Sequence, residues 1–135
     1  MENENTYVAF QVKNSIFAVP MNDTLGIAAG SQNTIYTIPP NAPDYIKYIA
    51  DLNGQPVTIV NIPGTDGDIP IMGNYIVILK HSGRNIGILA TETHLVRILA
   101  NSILADKISG QKSFEHNEKT YLILDISQLY KELGI

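Results

Sequence analysis

Apolar positions that recur at every second residue predict strands along most of this chain. Val8, Phe10 and Val12 alternate in this way, Asn14-Ser15 can turn the chain, and an apolar run follows from Ile16 to Met21. Alternation with a period of two is typical of a half-buried strand, and turn residues between two such runs indicate a hairpin. The chain is therefore predicted to open with a hairpin.

The same pattern returns in the second part of the chain. Tyr75 to Lys80 is apolar, residues 81–85 are turn-forming, and Ile86 to Ala90 is apolar again. Isoleucine is the commonest residue, and its β-branched side chain suits a pleated, half-buried surface better than a helix. A second hairpin and an all-β fold are predicted.

The closing strands of the two parts are also alike. Val57 to Ile62 ends in Asn-Ile, and Tyr121 to Ile126 ends in Asp-Ile, with turn residues before each. Two related halves, about 7–62 and 74–135, are therefore predicted within one domain that spans 1–135, joined by a Gly/Pro/Asp-rich connection over 63–73. Many short strands with turns every 8 to 12 residues indicate barrels or sandwiches, and two small barrels sharing one core are predicted.

A short helix is predicted at the C-terminus. Asp125 can cap it, Gln128 stands at the third helical position, and Gly134 can end it. Four residues at helical spacing form its apolar face: Ile126, Leu129, Tyr130 and Leu133.

Composition narrows the function. The 135 residues carry a net charge of −4 with the lysines and arginines scattered singly, which argues against a nucleic-acid partner. Charged residues make up 16%, compared with about 25% in a typical soluble domain, so neutral and apolar groups cover much of the surface. The N-terminus is acidic and no apolar run reaches the roughly 18 residues of a membrane span. We expect a cytoplasmic protein that does not insert into membranes and that binds other proteins.

No residue set in the sequence predicts catalysis or a cofactor. There is no cysteine, and His81, His94 and His116 show no metal-ligand spacing, so no metal site is expected. Asp66-Gly67-Asp68 lacks the remaining ligands of a calcium loop. Ser82 beside His81 lacks an oriented base and the elbow of a nucleophile. Neither catalytic residues nor cofactors are predicted.

One central segment resembles the CheW family of chemotaxis coupling proteins. It runs through Pro40-Asn41-Ala42-Pro43, Asp51-Leu52-Asn53-Gly54 and Val57 to Ile62, with the family's spacing and without a gap. Similar but more generic patterns occur at the opening hairpin, at Gly87-Ile88-Leu89 and at the closing strand. The resemblance therefore extends from about Tyr7 to Tyr130.

The resemblance implies a fold of two intertwined, SH3-like, five-stranded barrels without catalytic activity. It also implies an adaptor that joins the cytoplasmic tip of a chemoreceptor to the regulatory domain of the histidine kinase CheA. Family members use a groove between the barrels together with exposed barrel strands. Carried over by position, the implied partner-binding residues are Leu25, Gly26, Ile27, Leu52, Asn53, Gly54 and Asn61.

Several of these positions depart from the family pattern. Asn53 stands where the family has an arginine, and Gly26 where an acidic residue is common. Asn61 and Thr91 replace aspartates, Thr58 a proline and Tyr48 a glycine. Replacing both partners of a partly buried ion pair changes stability little, whereas replacing one leaves the other charge without a partner. The absence of both charged residues, at positions 26 and 53, is therefore consistent with the loss of a whole ion pair.

Two other functions stay open. The chain could be a CheW-like binding module that has left chemotaxis for another signalling partner, as the missing charged residues suggest. A small β-barrel enzyme is the third alternative, and a pocket with strongly perturbed titrating groups would support it.

Overall fold

The computed structural model describes residues 3–63, 65 and 69–134 of the chain. Over these ranges the protein forms twelve strands and one α-helix. The elements are β1 (Glu4–Val12), β2 (Ser15–Pro20), β3 (Thr24–Ala29), β4 (Ile35–Thr37), β5 (Ile46–Leu52), β6 (Gln55–Val60), β7 (Tyr75–His81), β8 (Arg84–Ala90), β9 (Glu92–Leu99), β10 (Leu104–Ala105), β11 (Lys112–His116), β12 (Lys119–Ile123) and α1 (Ile126–Leu133). Short 3₁₀ turns at Met21–Asp23 and Ala100–Ser102 follow β2 and β9.

The strands form two six-stranded sheets. Sheet A has the order β10-β11-β12-β2-β1-β9, and sheet B has the order β3-β7-β8-β6-β5-β4. Each hairpin lies among strands from the other part of the chain and joins them through a parallel pair, β2 with β12 and β8 with β6. Replacing β1–β6 by β7–β12, and the reverse, converts one strand order into the other. The two sheets are therefore intertwined by an exchange of hairpins.

Three clusters of buried side chains result from the alternation along the strands. One cluster, around Phe114, is built from sheet A, and a second, around Ile76, is built from sheet B and the nearby Ile71. In β1, Ala9 faces the sheet A cluster whereas its neighbour Phe10 faces a third cluster that both sheets share with α1. We call this third set the inter-barrel cluster; its buried members are Val8, Phe10, Val12, Phe17, Val19, Val60, Ile62, Val77, Leu79, Ile86, Ile88, Ala90, Ile126, Leu129, Tyr130 and Leu133.

Helix α1 has the boundaries that its sequence predicts. The Asp125 carboxylate accepts a hydrogen bond from the Gln128 backbone N–H at 3.1 Å, and Gly134 ends the helix in the left-handed region at φ 72°. The Tyr130 hydroxyl lies close to the carbonyl oxygens of Leu79, at 3.2 Å, and Arg84, at 2.8 Å. Burial raises the pKa of Tyr130 to about 12, so the hydroxyl stays protonated as a donor.

The all-β fold of two intertwined barrels with a short C-terminal helix is confirmed. Each sheet has six strands rather than the expected five, because the short edge strands β4 and β10 extend them. The predicted closing strands end earlier than expected, β6 at Val60 and β12 at Ile123. In the second case Asp125 caps α1, and its backbone cannot also continue the strand.

Part of the predicted connection over 63–73 lies outside the described residues, including Asp66-Gly67-Asp68. Its later residues are tied to sheet B. Ile71 is buried in the sheet B cluster, and the Gly73 N–H donates to the carbonyl oxygen of Gly30 at 3.2 Å. The end of this connection is therefore part of the packed fold.

Candidate protein-binding surface

Strand β3 presents aliphatic side chains to solvent at one edge of sheet B. Leu25 is 57% exposed and Ile27 is 44% exposed. Ile27 lies directly opposite Val77, a member of the inter-barrel cluster, so its side chain is on the inter-barrel face of the sheet. The strand pairs with β7 alone, and that pairing leaves its outer side uncovered. The apolar inter-barrel face of sheet B therefore extends beyond the area that is packed against sheet A.

Tyr75 extends this surface at the start of β7. It pairs with Ala29 of β3 and is partly exposed. The irregular pairing between Thr24 and Gly26 is a bulge at Leu25, and bulges at sheet edges re-aim a side chain. We call Leu25, Ile27 and Tyr75 the β3 strip. Neither β3 nor the Tyr75–Leu79 stretch of β7 contains a charged residue, so a partner would meet an apolar, uncharged surface.

Sheet A has a matching feature on β9. This strand lies at the edge of sheet A beside β1, as β3 lies at the edge of sheet B beside β7. Leu95 is 59% exposed and lies opposite Val8 of the inter-barrel cluster. Both sheets therefore end in an edge strand with an exposed aliphatic side chain on the inter-barrel face.

The predicted residues Leu52, Asn53 and Gly54 lie in the hairpin between β5 and β6. Asn53 and Gly54 both have positive φ, 55° and 84°, as the hairpin turn predicted from Asn-Gly requires. The Asp51 carboxylate accepts a hydrogen bond from the Gly54 N–H at 2.7 Å and fixes the turn. Asn53 and Gly54 are exposed, whereas Leu52 is partly buried against the sheet B cluster.

The structure groups the seven predicted partner-binding residues into three places. Leu25, Gly26 and Ile27 are consecutive on β3, and Gly26 has open space where a side chain would start. The Leu52–Gly54 turn follows β5, which β7, β8 and β6 separate from β3 in the sheet. Asn61 follows β6, where its backbone N–H donates to the Tyr45 carbonyl oxygen at 2.7 Å.

Two members of these groups face different sides of sheet B. Ile27 is on the inter-barrel face, whereas Leu52 packs against the cluster inside the barrel. A partner helix that packs on the β3 strip would therefore contact the side chain of Ile27. It could not contact the side chain of Leu52, and only the exposed residues of that turn, Asn53 and Gly54, would be accessible to it.

The seven partner-binding residues predicted from the sequence do not include Tyr75 or Leu95. Leu95 follows Glu92-Thr93-His94 and precedes Val96-Arg97, which is typical of an ordinary strand with a solvated face. Tyr75 begins an apolar run that predicts full burial. Only the strand order shows that both lie at the uncovered margin of the inter-barrel face, and no signal in the local sequence indicates it.

The histidines make structural contacts. His94 Nε2 and the Tyr121 hydroxyl are 3.0 Å apart, and the His81 ring packs on Tyr130 with a centroid distance of 5.1 Å. The His116 ring centroid is 6.2 Å from that of Tyr121. Among the described residues, no three histidine, aspartate or glutamate side chains come together in a group that could hold a metal ion. No helix in the part of the chain that the structure describes is long and apolar enough to cross a bilayer.

Comparisons with known proteins identify the fold. No protein-family model matches the sequence, and no curated protein matches it. The scaffolding protein TtCheW from Thermoanaerobacter tengcongensis has a similar structure, with a TM-score of 0.76 over 91% of this chain and 90% of that chain. The sequence identity is 16%. The chain has a CheW-like fold with a divergent sequence.

Proposed function

We propose that this protein is a non-catalytic adaptor of bacterial chemotaxis that couples chemoreceptors to the histidine kinase CheA. The observation that carries the proposal is the structural match to a CheW scaffolding protein along nearly the full length of both chains. The segment from Pro40 to Ile62, which resembles the family in sequence, supports the same assignment independently of the fold. An adaptor of this kind works in the cytoplasm, where receptor tips and kinase meet.

The exposed surface supports a protein that binds other proteins. The chain exposes 8494 Å², compared with the roughly 7,000 Å² expected of a compact monomer of its mass. Uncovered aliphatic side chains account for part of this area, and contiguous exposed apolar patches mark interaction sites. Exposed apolar side chains of this kind are expected of a protein that works by binding other proteins.

The β3 strip suits the apolar face of a receptor-tip helix. Amphipathic helices dock by laying aliphatic side chains into an uncharged apolar surface, and Leu25 and Ile27 provide one. The exposed turn at Asn53 and Gly54, at the start of β6, supplies polar and backbone groups for a second contact, and Asn61 lies at the other end of the same strand. We assign the kinase regulatory domain to this second contact.

The alternative is a CheW-like module with a different signalling partner. The uncharged residues at Gly26 and Asn53 favour it, because charged groups at an interface determine partner choice more than raw affinity. The two functions predict different binding partners for the same protein.

A titration against each partner tests the proposal. The purified protein should bind the CheA regulatory domain and a receptor-tip fragment with dissociation constants in the micromolar range, as transient signalling interfaces do. Ile27→Asp should weaken receptor binding at least tenfold, because a carboxylate replaces an apolar contact. Ile35→Asp is the matched control, since Ile35 is also exposed to solvent, 66% compared with 44% for Ile27, but lies on β4 at the opposite edge of sheet B.

The outcome that would reject the chemotaxis role is the absence of binding to both partners at about 100 µM with a folded protein. The same result would favour the diverged module. If the kinase domain bound but the receptor fragment did not, the β3 strip would lose its assigned partner.

A further inference from the structure

The turn between β5 and β6 carries the chain's only asparagine that is followed by glycine, Asn53-Gly54. Both residues are exposed, and their φ values of 55° and 84° match a type I′ hairpin turn. Glycine has no β-carbon to shield its backbone nitrogen, so an asparagine in front of glycine loses its side-chain amide more easily than one in front of any other residue. This pair is therefore the place in the chain where deamidation is chemically easiest.

Deamidation at such a pair is an intramolecular acyl transfer. The Gly54 backbone nitrogen attacks Cγ of Asn53, a bond forms between these two atoms, and the bond from Cγ to Nδ2 breaks. Ammonia leaves with the proton of the Gly54 N–H, and a five-membered succinimide ring remains. Water then opens either of the two C–N bonds of the ring, which yields aspartate or isoaspartate at residue 53.

The folded turn holds the reacting atoms apart. Ring closure requires Cβ of Asn53 and the Gly54 nitrogen to be nearly eclipsed about the Cα–C bond of Asn53. In a type I′ turn the first central residue has a ψ of about +30°, which places the two atoms on nearly opposite sides of that bond. The turn must open before Asn53 reacts, so the rate depends on how often it opens.

A carboxylate keeps this turn closed at the reacting nitrogen. Asp51 Oδ1 accepts a hydrogen bond from the Gly54 N–H at 2.7 Å, and the hydrogen in that bond is the one that must leave when the nitrogen attacks. Hydrogen bonds to a carboxylate are stronger than those between neutral groups. The bond therefore stabilises the closed turn and keeps the nitrogen protonated.

We propose that Asn53 is a deamidation site whose rate is restrained by Asp51. Asp51 is a positioning residue, because it takes no part in ring closure and fixes the atom that does. The product carries a carboxylate at residue 53, two residues from Asp51, and the isoaspartate form also lengthens the backbone of the turn. The inference is independent of the proposed coupling function, since it uses only the chemistry of this turn.

The turn between β11 and β12 provides an internal comparison. Asn117 has a φ of 51° and Glu118 a φ of 65°, and both residues are exposed, so this asparagine has a backbone conformation close to that of Asn53. The residue that follows it has a side chain, which shields the backbone nitrogen. Glu118→Gly should therefore create a second deamidation site at Asn117, since glycine also suits the positive φ there.

Peptide mapping by mass spectrometry measures the loss of each amide while the purified protein is incubated at mildly alkaline pH. In the wild type, the loss at Asn53 should be at least about fivefold faster in concentrated urea than in the folded protein, because unfolding removes the turn. Asn117 should remain largely intact under both conditions in the wild type and should react in Glu118→Gly.

The role of Asp51 is tested in the folded protein. Asp51→Ala should speed the loss at Asn53 by at least about fivefold, because the hydrogen bond that closes the turn is removed. Asp51→Asn keeps an acceptor oxygen without the charge and should give an intermediate rate. Asp44→Ala, which changes an exposed carboxylate before β5, is the matched control and should leave the rate unchanged. Circular dichroism checks the fold, and unchanged rates at the other asparagines show that the effect is local.

Equal rates of loss at Asn53 in the folded and the unfolded wild type would overturn the proposal, because the turn would then provide no restraint. An unchanged rate in Asp51→Ala would also overturn it. So would a Glu118→Gly variant in which Asn117 stays intact, since the following residue would then not determine the site.

Discussion

Among the glycines that the structure describes, Gly30 has the least room for a β-carbon. A β-carbon at Gly30 would lie 1.8 Å from the carbonyl oxygen of Ile71, which belongs to the backbone and cannot rotate away. Gly30 also bonds through its N–H to Asn74 at 2.8 Å. The close approach ties the end of β3 to the segment that leads into β7, and only a glycine permits it.

Gly30→Ala should therefore destabilise the protein by about 3 kcal/mol or more, because the backbone at Ile71 must move. Gly26→Ala is the matched control on the same stretch of chain, since no atom lies within 4 Å of a β-carbon there. Urea unfolding measures both. Equal stability of the two variants would show that the Gly30–Ile71 approach is not a constraint.

At the scale of an element, α1 closes one side of the inter-barrel cluster and its attachment depends on a few polar contacts. Tyr130 reaches the carbonyl oxygens of Leu79 and Arg84, and the Tyr45 hydroxyl donates to the Leu133 carbonyl oxygen at 2.6 Å. These contacts join α1 to β7, to β8 and to Tyr45, which directly precedes β5, and the apolar face of α1 completes the cluster.

Tyr130→Phe should lower the free energy of unfolding by about 1–3 kcal/mol, because buried carbonyl oxygens lose a donor. Tyr36→Phe, which removes an exposed hydroxyl, should change it little. The pH dependence gives a second readout. The pKa of Tyr130 is raised from 10.0 to about 12, so its stabilising effect is complete below pH 10 and is lost as the pH rises through about 12. The Phe variant should lack this alkaline loss; a variant as stable as the wild type at neutral pH would contradict the account.

The local sequence predicts the individual hairpins, turns and helix ends of this fold well. The hairpins, the Asn53-Gly54 turn and the cap of α1 follow from periodicity and from residue preferences within a few positions. The edge strands β4 and β10 have three and two residues, too few to produce a periodic signal, and they were not predicted. The close approach at Gly30 depends on Ile71, which is far away in the sequence, and no local pattern indicates it.

At the scale of the whole molecule, the exchange of hairpins makes the two barrels one unit. Sheet A requires strands from both ends of the chain, and sheet B holds the β7–β8 hairpin between strands of the first part. The relatedness of the closing strands predicts two similar units, but it does not determine which hairpin enters which sheet. That choice places Leu95 and the β3 strip at the margins of the inter-barrel face, so the surface could be predicted only in part. Leu25 and Ile27 came from the family resemblance, whereas Tyr75 and Leu95 required the strand order.

Adaptor function requires that one molecule hold two partners at once. The most direct test is a three-component capture, in which an immobilised receptor-tip fragment is mixed with the CheA regulatory domain in the presence or absence of this protein. We expect the kinase domain to be retained only when the protein is present, and Ile27→Asp to reduce the retained amount at least tenfold while Ile35→Asp does not. Retention of the kinase domain that is the same with and without the protein, or no retention in either case, would contradict the account.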